Sequence, residues 1–315
     1  MEECSVYTIG IDLGGTNIAA GVVDENYNIV AKAVAPTGAG RDVGVMVEDI
    51  DGCVEKALNA AGVDLHDCRA IGIGSPGTCD GTGGIVIHAY NLGWFDVPIC
   101  RMLSERFGLP VSLGNDADCA ALGEVVAGAA KGSDSAVMIT LGTGVGGGMV
   151  IGGSIFAGYR TLGGEIGHMC IRMDGEQCTC GQRGCWEAYA SATALIRQGE
   201  RAAKEHPESA LAGAGKLDGK KIFAAADAGD ETAAGVVRKY CEYVGVGLVS
   251  MVNIFFPEVI IIGGGVSNAG ETLLGPVREY VGERFFVGDK RFLPRIVKAT
   301  LGDDAGVIGA AAHCR

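Results

Sequence analysis

Two distant stretches of this chain share one plan, in which an apolar strand runs into glycines and returns as a second strand. Ile11-Asp12-Leu13-Gly14 aligns with Ile139-Thr140-Leu141-Gly142, and Val22-Val23 then falls on Val150-Ile151. Few residues are identical, yet the chemistry agrees, which predicts a duplicated hairpin unit. Each copy needs its own core. A length of 315 residues with 48% hydrophobic content is enough to fill two α/β lobes.

Residues 6–12, 18–23 and 29–35 read as strands, and Val43, Met46, Val47, Ile50, Val54 and Leu58 recur at helical spacing. Residues 70–74 and 111–113 are short strands, and Asp116 opens a helix running to about Ala127. Residues 136–141 form a strand, and Met149-Val150-Ile151 and Ile155-Phe156 read as further strand. Val236, Val237, Tyr240, Tyr243, Val244, Leu248 and Met251 trace an amphipathic helix leading into a strand at 259–262. Asp303 or Asp304 is expected to cap an Ala-rich helix that packs back between the lobes. Residues 199–219, with their charges, Pro207 and alanines, are expected to be a mobile excursion. The division expected is 1–115 plus about 302–315 for a small lobe, and 116–301 for a large one.

Composition narrows the function classes. The 53 glycines cluster after apolar strands and show no repeat, which excludes collagen and low-complexity linkers. A net charge of −13 opposes binding to nucleic-acid phosphates and anionic membranes, and 6% aromatics offer little stacking surface. Met1-Glu2-Glu3-Cys4 lacks the basic start of a signal peptide, and 259–262 is far too short to span a bilayer. Twelve cysteines in such a chain point to reduced thiols and a cytoplasmic protein. Cys4, Cys53, Cys68, Cys79, Cys100, Cys119, Cys170, Cys241 and Cys314 are scattered, and most are expected to be small core residues.

Three glycine turns could bring backbone N–H groups close to an anion: Gly14-Gly15-Thr16-Asn17, Gly142-Thr143-Gly144 with its following glycines, and Gly263-Gly264-Gly265. One such run is usually only a tight turn; three over two similar lobes resemble a nucleotide clamp. Gly142-x-Gly144-x-x-Gly147 formally fits the dinucleotide fingerprint, but that motif needs a helix next, and strand follows here. No P-loop occurs, since Gly215-Lys216 is followed by Leu217.

The sharpest local signal is Gly163-Gly164-Glu165-Ile166-Gly167-His168, followed by Cys178, Cys180 and Cys185. Three thiols in a glycine-rich knuckle and an upstream imidazole make the Cys₃His set that tetrahedral Zn²⁺ favours. Glu165 and Glu187 bracket that set and, being poorer zinc partners, are left to accept hydrogen bonds from a polyol.

Together these residues resemble the ROK family of sugar kinases and repressors, nearest to its bacterial glucokinases. The resemblance spans nearly the whole chain and includes Asp12-Leu13-Gly14-Gly15-Thr16-Asn17, Asn91-Leu92-Gly93-Trp94, Asn115-Asp116-Ala117-Asp118, the Glu165/His168 box, the knuckle and Asp304-Ala305-Gly306-Val307-Ile308-Gly309. It implies an α/β fold of two ribonuclease-H-like, hexokinase/actin-like lobes with a cleft between them. ATP with Mg²⁺ and a hexose would be the ligands, and a homodimer the assembly. It implies that Asp116 is the base for the sugar hydroxyl, and that Asp12 faces Mg²⁺ through water. Asn91, Asn115, Glu165, His168 and Glu187 would hold the sugar, with Asp116 also in contact. Gly14, Gly15, Thr16, Asn17, Gly142, Thr143, Gly144, Gly264 and Gly265 would surround the nucleotide. The purely local alternative for Asp116 is a helix cap. The activity implied is a glucokinase making the 6-phosphate; N-acetylmannosamine, fructose and allose remain alternative substrates. A sugar-sensing repressor is the other class, though only eleven residues precede Asp12, too few for a DNA-binding domain.

Overall fold

The structure is a computed structural model that describes residues 7–314. Its described residues fall into two compact units. The first takes the chain up to Ala136, Gly148–Gly164 and the residues from Thr300 onward; the second takes Val137–Gly147 and Glu165–Ala299. The expected division before Asp116 differs from this grouping, which keeps the helix that follows Asn115 in the first unit.

In the first unit, β1 (Tyr7–Leu13), β2 (Asn17–Val23) and β3 (Ile29–Pro36) form an antiparallel meander. Helix α1 (Val43–Ala61) follows, held at its start by the Asp42 carboxylate accepting from Gly44 N–H. Then come β4 (Cys68–Ser75), β5 (Thr78–Asp80), β6 (Ile85–Ala89), β7 (Trp94–Val97), α2 (Ile99–Phe107), β8 (Val111–Asn115) and α3 (Asp116–Val126). The main sheet has the order β3-β2-β1-β4-β8, with β4 parallel to both β1 and β8. Strands β5, β6 and β7 make a separate small sheet carrying the Asn91–Trp94 turn. Ile9, Ile11, Leu13, Ile18, Ala20 and Val22 bury their side chains against Met46, Ile50 and Val54 of α1.

The second sheet is built from β9 (Ser135–Leu141), β10 (Val145–Ile151), β11 (Ser154–Ile155) and, later in the chain, β12 (Val259–Gly263) and β13 (Arg295–Lys298). Its order, β11-β10-β9-β12-β13, repeats that of the first: a meander on one side and later strands on the other. The duplicated hairpin expected from sequence thus recurs as a duplicated sheet order. Between β11 and β12 lie α4 (Glu187–Ala190), α5 (Ala192–Glu205), α6 (Ala210–Gly213), α7 (Gly219–Asp227) and α8 (Glu231–Phe255). Helix α9 (Glu271–Arg284) joins β12 to β13, and α10 (Ala305–His313) ends the described chain. Among the described residues, no helix is long and apolar enough to cross a membrane.

Two expectations are corrected here. Residues 199–219 are largely ordered: α5 runs to Glu205, Ser209 caps α6, and Asp218 caps α7 by accepting from Lys221 N–H. Polar composition suggested a loop because each cap residue is itself a turn former. Helix α10 is built into the first unit, against α3, β1 and β4. Glycines make this possible by removing side chains where backbones meet. A Cβ at Gly10, Gly72, Gly123 or Gly309 would stand 2.0, 1.8, 2.2 or 1.6 Å from Val307 O, Ala310 O, Ala305 O or Cys119 O. The Asp304 carboxylate leaves the α10 cap unmade and pairs with Lys32. The fully buried Glu124 draws the returning chain in, accepting from Thr300 N and Leu301 N at 2.8 Å each.

Of the scattered cysteines, Cys53, Cys68, Cys79, Cys119 and Cys241 are buried, Cys100 and Cys314 are half-buried, and Cys170 is exposed. Cys4 lies outside the described residues.

Candidate functional site

In the first unit, the candidate groups sit where strands end and helices begin. Asn115 closes β8 and takes the N-cap of α3; its Oδ1 accepts from Ala117 N–H at 2.9 Å, and its Nδ2 donates to Gly77 O at 3.1 Å. Asp116 occupies the first helical position, so the cap belongs to its neighbour. Its Oδ1 also accepts from Ala117 N–H at 2.8 Å, at the positive end of α3. Asp12 near the end of β1 has its carboxyl pushed up to about 6, first by burial and then by the charges of Asp116 and Asp303, with Lys32 opposing. A Cβ at Gly306 would lie 2.5 Å from that carboxylate, so the glycine near the start of α10 leaves room for it. A half-buried acid beside other acids is a place where a divalent cation would be welcome.

The turn Gly14–Asn17 closes by Gly14 N donating to Asn17 O at 2.9 Å. Gly15, Thr16 and Asn17 are exposed, and a Cβ at Gly15 would come within 3.0 Å of Asn91 Nδ2. The structure thus brings Asn91 beside the first glycine turn.

In the second unit the matching turn closes by Gly142 N donating to Gly144 O at 3.0 Å. Gly144 has a further reason to lack a side chain: its Cβ would meet Glu187 Oε2 at 2.2 Å. That oxygen accepts from Val145 N–H at 3.0 Å, while Oε1 accepts from Thr179 Oγ1 at 3.3 Å. Glu187 therefore ties the glycine turn to the cysteine knuckle. The Glu165–His168 box packs on the same hairpin. Ile166 fills the space a side chain at Gly147 would need, and Gly167 lies against Val145 O. Glu165 and His168 are both exposed.

The ligating atoms of His168, Cys178, Cys180 and Cys185 all lie within 4.8 Å of one another. Cys180 Sγ and Cys185 Sγ are 3.6 Å apart, and Cys178 Sγ is 3.7 Å from His168 Nδ1. A tetrahedron with 2.3 Å metal–sulfur bonds has edges of about 3.8 Å, so this spacing fits Zn²⁺. The knuckle is anchored by Trp186, fully buried, whose indole N–H donates to Tyr243 O at 2.7 Å. A Cβ at Gly247 of α8 would stand 2.0 Å from that indole ring.

A cavity of about 620 Å³ opens beside the second turn, lined by Gly142, Thr143, Phe223, Asp227, Gly265 and Asn268 among others. Gly264 adopts φ 77°, and a Cβ there would sit 2.5 Å from Leu141 O, which seats the third glycine run against the second. Sequence reasoning found the glycines of this cavity and missed its α7 wall, for which the signal was the Asp218 cap and the apolar Ile222-Phe223 pair.

The ROK family model matches residues 8–315. The chain is 40% identical over 312 residues to a glucokinase of Halalkalibacterium halodurans, covering 96% of this chain and 92% of that one. A ROK family glucokinase from Streptomyces griseus, solved in complex with glucose and AMPPNP, is 39% identical with a TM-score of 0.78, covering 97% of this chain and 98% of that one. A ROK hexokinase from Thermus thermophilus gives a TM-score of 0.82 at 38% identity, covering 98% and 97%. With the paired sheets, the Asn115-Asp116 helix start and the Cys₃His knuckle in place, the match over nearly its full length shows that this chain belongs to the ROK family.

Proposed function

We propose that the chain is an ATP-dependent hexose kinase, acting on glucose, that moves the ATP γ-phosphoryl to the sugar 6-hydroxyl. The observation that carries this reading is its near-full-length similarity to glucokinases, one of them solved with glucose and AMPPNP. The local chemistry is compatible at each step. An alcohol attacking a phosphoryl group must lose its proton, and Asp116 places a carboxylate at a helix start to accept it. Asn91, Asn115, Asp116, Glu165, His168 and Glu187 hydrogen-bond the hydroxyls in this reading. A site built on such bonds rejects sugars that leave them unmade.

The glycine turn at Gly14–Asn17, the cavity lined by Gly142, Thr143 and Gly265, and the adjoining Gly144 and Gly264 take the nucleotide. Mg²⁺ bound with ATP supplies charge neutralisation on the phosphates. Asp12, among its acidic neighbours, would hold that ion, whose charge would offset theirs. Zn²⁺ would be held by His168, Cys178, Cys180 and Cys185, and its contribution would be structural, fixing the knuckle that carries Glu187. A homodimer completes the reading and is tested by sedimentation.

The test is ADP release measured across glucose, N-acetylmannosamine, fructose and allose. The reading expects the highest kcat/KM for glucose. No ATP-dependent turnover on any hexose ends it, and a preference for another sugar moves the substrate while keeping the class.

A further inference from the structure

The turn before the Glu165 box holds two adjacent non-glycine residues in the left-handed region, Arg160 at φ 56° and Thr161 at φ 61°. A side chain with a Cβ pays for that conformation, and it persists where surrounding contacts over-determine it. Those contacts are specific, and all lie within the first unit. The half-exposed Arg160 guanidinium reaches back to the carboxylate of Asp80, whose side chain is only 2% exposed at the end of β5. The other Asp80 oxygen accepts from Gly83 N–H at 3.0 Å. Thr161 Oγ1 accepts from Gly81 N–H at 2.7 Å and lies 2.9 Å from Cys79 O, to which it can donate. Gly81 is pinned between this hydroxyl and β8: a Cβ there would meet Leu113 O at 2.8 Å and Thr161 Oγ1 at 2.9 Å. Gly163 N donating to Ala157 O at 2.7 Å closes the loop behind them.

This strain is placed at a particular point of the chain. Gly164, three residues after Thr161, adopts φ 92°, and a Cβ there would stand 3.9 Å from Asp118 Oδ1 in the first turn of α3. The next residue is Glu165. The strained turn therefore delivers the backbone to Glu165 from a fixed point beside the helix that opens with Asp116.

We propose that Asp80, Arg160 and Thr161 form a latch that sets hexose affinity by position, holding residues 158–164 so that Glu165 is presented to the sugar without any latch residue touching it. The inference rests on the reading of Glu165 as a sugar-binding acid. Releasing the latch frees the turn to sample ordinary backbone, and sugar binding must then re-order it. Affinity for the sugar falls, while the proton transfer at Asp116 and the nucleotide cavity are unaffected.

The test compares the full-length protein with Arg160→Met, Arg160→Lys, Asp80→Asn and Glu165→Gln in steady-state kinetics with glucose and ATP, with thermal melts alongside. Arg160 is half-exposed, so its variants report on the latch even if Asp80→Asn, which alters a buried group, fails to fold. The latch expects Arg160→Met to raise glucose KM about tenfold, with ATP KM and saturating kcat within about threefold, and Arg160→Lys to recover most of the loss. A tenfold rise for Glu165→Gln with none for Arg160→Met overturns the latch and leaves the sugar reading standing. An unchanged glucose KM in Glu165→Gln overturns both. Equal losses in kcat and both KM values for Arg160→Met, with a lowered Tm, overturn the latch by showing general damage.

Discussion

In the first unit, Asp12, Asn115 and Asp116 sit at the ends of long strands and the start of α3, where α10 packs directly on neighbouring backbone. In the second unit, Glu165, His168 and Glu187 sit on short irregular segments around a knuckle whose local apolar cluster is small: Cys178, Cys185, Ala188 and Tyr189 with Ile171 and Tyr243. The same sheet order supports both. What differs is the scaffold: regular strands and helices meeting backbone to backbone in one unit, short turns packed on a glycine hairpin and tied by Glu187 hydrogen bonds in the other. In the proposed reading, the acids that bear charge and move the proton lie at strand and helix ends of the first unit, and Glu165, His168 and Glu187 meet hydroxyls from the short segments of the second.

The largest effect expected from breaking this division is on turnover. Asp116→Asn keeps the shape and removes the base, so kcat should fall by roughly 10²–10⁴ while glucose binding, followed by titration without nucleotide, is preserved. Full activity in that variant would remove the general base from the mechanism. Next is the cost of burying Asp12. Its carboxyl is raised from 3.8 to about 6, so the stability it contributes is fully present below pH 4 and lost as pH rises through 6. Asp12→Asn mimics the protonated form. In the absence of nucleotide and Mg²⁺ it should match the parent near pH 4 and exceed it by roughly 3 kcal/mol above pH 7 in denaturant titrations. Parallel stability–pH curves for the two proteins would show that the neighbouring acids do not load this site.

Metal removal sharpens the contrast from the other side. Chelation or Cys180→Ser should weaken glucose binding by roughly 10- to 100-fold through the knuckle that carries Glu187, and zinc should restore the chelated protein. Hydrogen exchange should rise at the knuckle and stay protected in β1, β4 and α10. Exchange rising equally in both units would mean that the metal supports the whole chain.

Much of this was legible in the residues. The repeated strand-turn-strand unit anticipated both sheets, since period and glycine placement are local properties. The Cys₃His set could be read because metal ligands are few and chemically distinctive. What escaped depends on contacts distant in sequence. Nothing around Arg160 or Thr161 marks a positive φ, because it is imposed by Asp80 and Gly81 some eighty residues earlier. The close approach of Gly10, Gly72, Gly123 and Gly309 to backbone carbonyls around α10 likewise had no local signal, because each partner lies far away in the chain. Asp218 was hidden in the 199–219 stretch, whose caps, charges and Pro207 mimic a loop, and Phe223 just beyond it had no reading, although α7 lines the nucleotide cavity of the proposed reading.

The smallest expected effect separates two duties of one side chain. Asn115 caps α3 through Oδ1 and reaches Gly77 O through Nδ2, and the proposed function also gives it a sugar hydroxyl. Loss of the cap in Asn115→Ala should cost about 1 kcal/mol of stability. Asn115→Ser restores a capping oxygen and should recover most of that, but it is too short to reproduce the amide's reach and has no N–H₂. If Asn115 holds the sugar, both variants raise glucose KM, and the serine protein does so at nearly parental stability. If it serves only as a cap, glucose KM follows stability and returns with serine. Because the residue lies on the first unit's side of the comparison, a serine protein with parental affinity would assign hydroxyl recognition to the second unit's short segments and to Asn91, leaving α3 to position the base.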